Sequence, residues 1–375
     1  MKNNQLEKLS DYADYSKAKI SIAEIDTKCY FSTENMLPNK GGVTEAAGLP
    51  TQDNVTKVLP ENVLVSNIRP YFKKIYFANE LAGASNDVLC FVAKNGCLPR
   101  YLYYLLSSDS FFDYMMAGAK GTKMPRGDKG QIMNFPVWVP AQNEQSRIVS
   151  VLSALDEKIE NISKINHNLE EQAKAIFKSW FVDFEPFNGK MPKSWLAKTL
   201  ADVSKIGAGG DKPHCVSEIQ TPEFQYPIYS NGLANDGLYG YASSAKIYEE
   251  SITVSARGTI GFVCLRQEPY VPIVRLITLI PNTCFVSAKY LYLYLKGINI
   301  SGTGTTQQQL TVPDFQKTSI MVPDNDTMKR FTICADSIFE QIKHNAKEMR
   351  TLAQLRDTLL PKLMSGEIDV SEVEV

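Results

Sequence analysis

The chain has 375 residues, 44% of them hydrophobic and 22% charged, with a formal net charge of −1; that suits two globular domains and lacks the basic excess of a simple nucleic-acid-binding domain. No apolar run reaches the roughly 18–20 residues a membrane helix needs, the best (Val271 to Ile280) being broken by Arg275, and Met1 to Gln5 lead into no apolar h-region, so a cytoplasmic protein is expected. Seven cysteines without a C-x-x-C pair read as reduced thiols and predict neither a disulfide framework nor a structural zinc site.

In chain order, the first elements are short apolar runs, Asn62 to Ile68 the clearest, punctuated by Gly, Pro and Asn; they predict strands and turns. Arg69 to Lys74 follows, holding Arg69, Lys73 and Lys74 with no acid, and then the polar turn Ser85-Asn86-Asp87. A helix is expected near Pro99 to Leu106. Next comes a Gly-Thr loop, Lys120 to Gly130, with Lys120, Lys123, Arg126 and Lys129 against Asp128 alone, and a strand ending at Val139-Pro140. A long helix closes the set. The same grammar then returns: a strand at Ser251 to Ser255, a helix near Ala288 to Leu295, a loop Gly302 to Gln309, a strand ending at Val322-Pro323, and a second long helix.

This is an internal duplication. Val65-Ser66 recurs as Val254-Ser255 and Tyr101-Leu102-Tyr103 as Tyr290-Leu291-Tyr292, each at an offset of 189; Gly121-Thr122 recurs as Gly304-Thr305 and Val139-Pro140 as Val322-Pro323, each at an offset of 183. Matches in the same order at two stable offsets outweigh chance.

The first long helix carries an apolar seam Ile148, Leu152, Leu155, Ile159, Ile162, Asn166, Leu169, Ala173, Ile176, Trp180, stepping by four and three. Such a heptad pattern predicts a coiled coil about 50 Å long. The repeat offset gives a second, noisier seam: Phe331, Ala335, Ile338, Ile342, Asn345, Met349, Leu352, Arg356, Leu359, Leu363. Each helix packing only on its own domain is the alternative; two matched seams more naturally pack on each other, antiparallel. Aligning their ends makes paired residue numbers add to 511 and sets Asn166 opposite Asn345, a polar pair of the kind that fixes register.

Four stretches carry a family resemblance: Val65-Ser66-Asn67-Ile68-Arg69-Pro70-Tyr71-Phe72-Lys73-Lys74, Gly121-Thr122-Lys123-Met124-Pro125-Arg126-Gly127-Asp128-Lys129, Met191-Pro192-Lys193-Ser194-Trp195, and Leu359-Leu360-Pro361-Lys362-Leu363-Met364-Ser365-Gly366-Glu367-Ile368. Together with the duplication, from about Leu6 to Val370, they make the chain resemble the specificity (S) subunit of type I restriction-modification systems. The resemblance implies an α+β fold, with two mixed target-recognition domains separated by two long helices in an antiparallel coiled coil, related by a pseudo-two-fold repeat. It further implies a non-catalytic subunit that reads a bipartite double-stranded DNA target, one domain per half, and docks two methyltransferase subunits and the restriction subunits. S-adenosylmethionine, ATP and Mg would sit on those partners, with no cofactor in this chain. The expected division is 1–140 and 186–323 for the recognition domains, 141–185 and 324–366 for the helices, and 367–375 for an acidic tail.

Base edges need paired donors and acceptors, and phosphates need Lys, Arg and backbone amides. The candidate DNA contacts are Arg69, Tyr71, Lys73, Lys74, Ser85, Asn86, Lys120, Thr122, Lys123, Arg126 and Lys129 in the first copy, and Arg257, Thr305, Thr306, Gln307, Gln308 and Gln309 in the second. Glutamine suits adenine and arginine guanine; a flexible solvated loop is the plainer reading. Arg69 and Arg257 follow similar strands and either touch DNA or pair with a buried acid. Tyr101, Tyr103, Tyr104, Tyr290, Tyr292 and Tyr294 look like a stacking platform, but their helical context favours core packing. No Walker-type run, dinucleotide fingerprint or adenine-methylase tetrapeptide occurs. His167, His214 and His344 are too scattered for a metal or acid–base site; His167 and His344 are expected on the coiled-coil surface. A coiled-coil scaffold with two protein-binding heads and no DNA affinity stands as the competing function.

Overall fold

The computed structural model describes residues 6–302 and 308–373. They form two compact units, one drawn from residues up to Glu160 and from Met349 onward, the other from Asn161 to Glu348.

In the first unit the central sheet runs Ala13–Tyr15, Val88–Ala93, Val63–Ser66, Ile75–Phe77, antiparallel throughout. Val63–Ser66 is buried at every position, so it reads as a continuous apolar run without alternation. The helix Pro99–Leu106 begins on proline, which suits a first turn whose N–H groups lack partners anyway. It sends Tyr101, Leu102, Tyr104, Leu105 and Leu106 into one core with Val63, Val65, Leu89 and Phe91. A second sheet runs Lys19–Ser21, Asn54–Val58, Ala82–Ala84, Tyr30–Phe31, its last pair parallel. There a Cβ on Gly83 would stand 2.5 Å from the Ile25 side chain and 2.6 Å from Val55, so only glycine fits. A short ladder joins Glu7–Lys8 to Pro136–Val137.

The second unit repeats the topology of the central sheet and of the short ladder. Its central sheet is Ser204–Ala208, Ile277–Pro281, Ser251–Val254, Val263–Arg266, its helix Ala288–Gly297, and its short ladder Leu196–Thr199 with Ser319–Val322. The units diverge in the outlying sheet, which has three strands (Leu238–Ala242, Tyr226–Tyr229, Val271–Pro272) against four and keeps one parallel pair, and in the helix Asp109–Ala117, which follows Pro99–Leu106 in the first unit and has no counterpart among the described residues of the second. The repeated tyrosines are core residues: Tyr101, Tyr104, Tyr290 and Tyr292 are buried. Tyr101 donates its hydroxyl to the Trp138 carbonyl at 2.7 Å and Tyr290 to that of Met321.

The long helices span Gln142–Phe181 and Asn325–Met364, and every seam position on both is buried or half-buried. Neither helix is a domain of its own, because each contributes one half to each compact unit. In the first unit Ile148 and Leu152 share a core with Leu360 and Leu363, and Arg356 Nη1 donates to Asp156 Oδ1 at 2.9 Å. The Tyr104 hydroxyl donates to the other Asp156 oxygen at 2.8 Å. In the second unit Ala173 and Phe177 pack with Phe331, Ala335 and Phe339. There Asn345 Nδ2 donates to Asn166 Oδ1 at 2.7 Å, and Gln341 Nε2 to Asn345 Oδ1 at 2.8 Å. Rising numbers on one helix meet falling numbers on the other, so the pair is antiparallel. The seam ends also enter the domain cores; Phe177, Phe181, Tyr290 and Phe331 form one aromatic cluster. His167 and His344 are exposed. After Met364, Val370 is 2% exposed, within the first unit's core. No helix among the described residues is long and apolar enough to cross a membrane.

Candidate nucleic-acid interface

Three segments distant in sequence meet beyond the end of strand Val63–Ser66. Asn67 N–H donates to the Asp87 carbonyl at 2.8 Å, Gly127 N–H to the Asn67 carbonyl at 3.2 Å, and Arg69 N–H to the Pro125 carbonyl at 2.8 Å. Lys120 and Arg126 exchange backbone bonds at 2.9 and 3.0 Å, closing the Gly-Thr loop into a tight finger. Gly127 lets the Asn67 side chain pack close, since a Cβ there would stand 2.8 Å from Asn67 Oδ1. The basic turn, the Ser85-Asn86-Asp87 turn and the loop are thus one assembly.

Its side chains are held but open to exchange. Arg126 Nη2 lies 3.2 Å from Asp87 Oδ1, with the two side chains 58% and 39% exposed. Such a pair is worth at most about 1 kcal/mol, little enough for a base edge or phosphate to displace. Lys120 Nζ reaches Asp128 Oδ2 at 2.8 Å. Asp128 also caps the turn Lys129–Ile132 through the amides of Gly130 and Gln131. The Lys120 hydrogen bond, and then these amides, hold its carboxyl down at about 2. Thr122, Lys123 and Lys129 are exposed, as are Asn86 and Tyr71, whose ring centroid lies 4.6 Å from that of Phe72.

Lys73 and Lys74 are less available. Lys73 Nζ pairs with Asp109 at 3.0 Å, alongside Lys40 at 3.6 Å; Lys74 Nζ donates to the Thr33 carbonyl at 2.5 Å, and burial, then repulsion from Arg69, lowers its pKa. Arg69 adopts the left-handed conformation (φ 50°) before the turn Pro70–Phe72, and its Nε is buried with no partner among the described residues. Strain and an orphaned donor at one residue are features that cluster at functional sites.

In the second unit Arg257 Nη2 donates to Gln309 Oε1 at 3.1 Å, and Leu310 N–H to the Ala256 carbonyl at 3.0 Å. That backbone bond is the counterpart of Gly127 to Asn67: Ala256 follows Asn67 at the offset of 189, Leu310 follows Gly127 at the offset of 183, and the two offsets meet in one hydrogen bond. Arg257 and Gln309 then occupy the places of Ile68 and Arg126, themselves a bridged backbone pair. Arg69 and Arg257 are therefore not equivalents, since their offset is one short of 189; Gly258 stands where Arg69 does. The acid pairing weighed for both is absent among the described residues: Arg257 meets a glutamine, and Arg69 is in no described ion pair. Gln308 is exposed. Thr305, Thr306 and Gln307 lie outside the described residues. Sequence reasoning passed over Lys40 and Asp109, which come into place only by folding, and Arg275, which the same offset of 189 from Asn86 would have found. His214 and Cys215 are both exposed, and among the described residues no three potential ligands are grouped to hold a metal.

The sequence matches the family described as "Type I restriction modification DNA specificity domain" twice, over residues 6–171 and 192–348. It is 27% identical to the MjaIX specificity subunit of Methanocaldococcus jannaschii, across 84% of this chain and 80% of that protein. With the HindI specificity subunit of Haemophilus influenzae it shares 25% identity across 96% of this chain and all of the relative. Its fold is similar to the crystal structure of a type I restriction-modification S subunit from M. genitalium, with a TM-score of 0.58, 16% identity and 97% of each chain covered.

Proposed function

The chain belongs to the type I restriction-modification DNA specificity family, and from that premise we propose that each of its two units reads one half of a split double-stranded DNA target. The observation that carries this is the shared backbone bond, Gly127 to Asn67 and Leu310 to Ala256, flanked by side chains that differ: Ile68 and Arg126 in one copy, Arg257 and Gln309 in the other. A constant scaffold with divergent contact groups is what an asymmetric two-part target requires.

Arg69, Tyr71, Asn86, Lys120, Thr122, Lys123, Arg126 and Lys129 serve one half, and Arg257 with the Gly302 to Gln309 loop the other. Catalysis is borrowed: methyltransferase subunits dock on the long helices, bring S-adenosylmethionine and methylate adenine, and restriction subunits complete the enzyme with ATP and Mg. A net charge of −1 leaves much of the phosphate attraction to those partners. The test is methylome sequencing of a host with and without this gene, alongside its methyltransferase gene. Loss of one bipartite adenine-methylated motif is the expected result; an unchanged methylome sinks the reading. The purified chain alone with S-adenosylmethionine is expected to transfer no methyl groups.

A further inference from the structure

We infer that Arg275 reads a guanine in the half-target served by the second unit, and that its position in the fold, shared with Asn86 of the first, is a specificity-determining position of both copies. This rests on the function proposed above and goes beyond it by assigning a base to a side chain.

Four observations carry it. First, Arg275 follows Asn86 at an offset of 189, the one that relates the strands on either side of the turn. Second, in both copies this turn adjoins the Gly-Thr loop. Asp87, next to Asn86, pairs with Arg126; Arg275 lines, with Gly209, Gln309, Leu310 and Thr311, a cavity of about 440 Å³, and Gln309 is the counterpart of Arg126.

Third, the backbone beneath Arg275 is fixed at several points. Val274 N–H donates to the Gly210 carbonyl and Arg275 N–H to that of Gly209, both at 2.9 Å. Asn231 Nδ2 donates to the Val274 carbonyl at 2.6 Å, and Asn231 Oδ1 accepts the Ala256 N–H at 2.8 Å, tying this turn to the one that bears Arg257. A Cβ on Gly209 would stand 2.7 Å from the Ile273 nitrogen, so Gly209 has a role here: it lets backbone meet backbone. Val274 and Arg275 are held at φ 51° and 60°, left-handed values that a non-glycine residue keeps only where its surroundings impose them.

Fourth, the guanidinium is uncommitted. Arg275 is exposed, and among the described residues no hydrogen bond or ion pair holds its side chain. A rigid mount carrying a free planar fork matches the two adjacent acceptors, O6 and N7, of guanine. Asn86, exposed on the corresponding turn, offers the amide that suits adenine. The two copies would differ at this position in the base they select.

The experiment uses the full chain with its methyltransferase partner in a host free of competing adenine methylation, read by methylome sequencing. The variants are Arg275→Ala and Arg275→Asn; asparagine tolerates the left-handed turn well, which keeps the test open should alanine impair folding. The expected result for Arg275→Ala is that one guanine of the second half-target becomes degenerate, with discrimination there falling about 5- to 100-fold, while the first half and the spacer stay as they were. For Arg275→Asn the same position is expected to shift toward adenine. Uniform loss of methylation at all sites without relaxation marks a phosphate contact and overturns the assignment. So does an unchanged motif, or a wild-type motif with no guanine in that half. If the wild-type chain directs no bipartite methylation at all, the underlying specificity reading falls, and this assignment with it.

Discussion

Arg126 and Asp128 stand close together in the same finger and lend themselves to different measurements. Arg126→Ala is expected to relax or weaken recognition in the first half-target alone, by about 1–3 kcal/mol if the contact is to a base; a methylome in which both halves change would contradict the two-site reading. Asp128 is a question of charge. Its carboxyl is held at about 2, against an ordinary value of 3.8. A depressed folded-state value means that its contribution is complete above about pH 4 and is lost as pH falls from 3.8 toward 2. A carboxyl NMR titration should place the midpoint near 2 in the native chain and closer to 3.8 when Lys120→Ala removes the first of its partners. At this scale the sequence showed which residues carry charge, but not what engages them. Lys73 looked free among its neighbours because Asp109, its partner, lies well downstream, past three strands and a helix.

The long helices were the most legible elements, because little besides a coiled coil sustains a four-three spacing through so long a seam. It also yielded the register: the hydrogen bond between Asn166 and Asn345 joins two positions whose numbers add to 511. Asn345→Leu alone should lower stability by about 1–3 kcal/mol by leaving the Asn166 amide without its partner, whereas converting both to leucine should recover most of that. Thermal unfolding of the four forms, reduced to a coupling energy, decides it; strictly additive losses would show that the amides do not act as a pair. The second helix is capped by Asp324, whose Oδ1 accepts the Thr327 N–H at 3.0 Å while Oδ2 receives the Trp195 indole at 3.3 Å. Asp324→Ala is expected to cost about 1 kcal/mol in the same assay. The outlying sheets were not foreseen as separate sheets. Their strands are only two to five residues long, too short for alternation to declare a face.

At the scale of the whole molecule the duplication was readable as two offsets, 189 and 183, and folding shows where they reconcile. What the linear order concealed is that each unit takes half of each helix, since packing partners such as Asp156 and Arg356 lie far apart in the chain. Exchanging residues 1–140 for the matching region of a relative should alter one half-target and leave the other. Removing one heptad from each helix, in register, shortens the helical run by about 10.5 Å. If the helices set the unread spacer, it should contract by about three base pairs, at roughly 3.4 Å per pair. An unchanged spacer would show that the helices do not set it.

Val370, sealed into the same core as Leu9, has a consequence for the order in which the protein is made. During synthesis the second unit, Asn161 to Glu348, leaves the ribosome as one uninterrupted stretch and can close as soon as it is out. The first unit cannot. Its opening portion, up to Glu160, must wait while that stretch is translated, roughly 10–40 s at about 5–20 residues per second. Only then do the end of the second long helix and the segment holding Val370 arrive to cover Leu9, Ile148 and Leu152. A premature stop codon shortly after Glu348 would therefore strip the covering from the domain translated first and spare the one translated last.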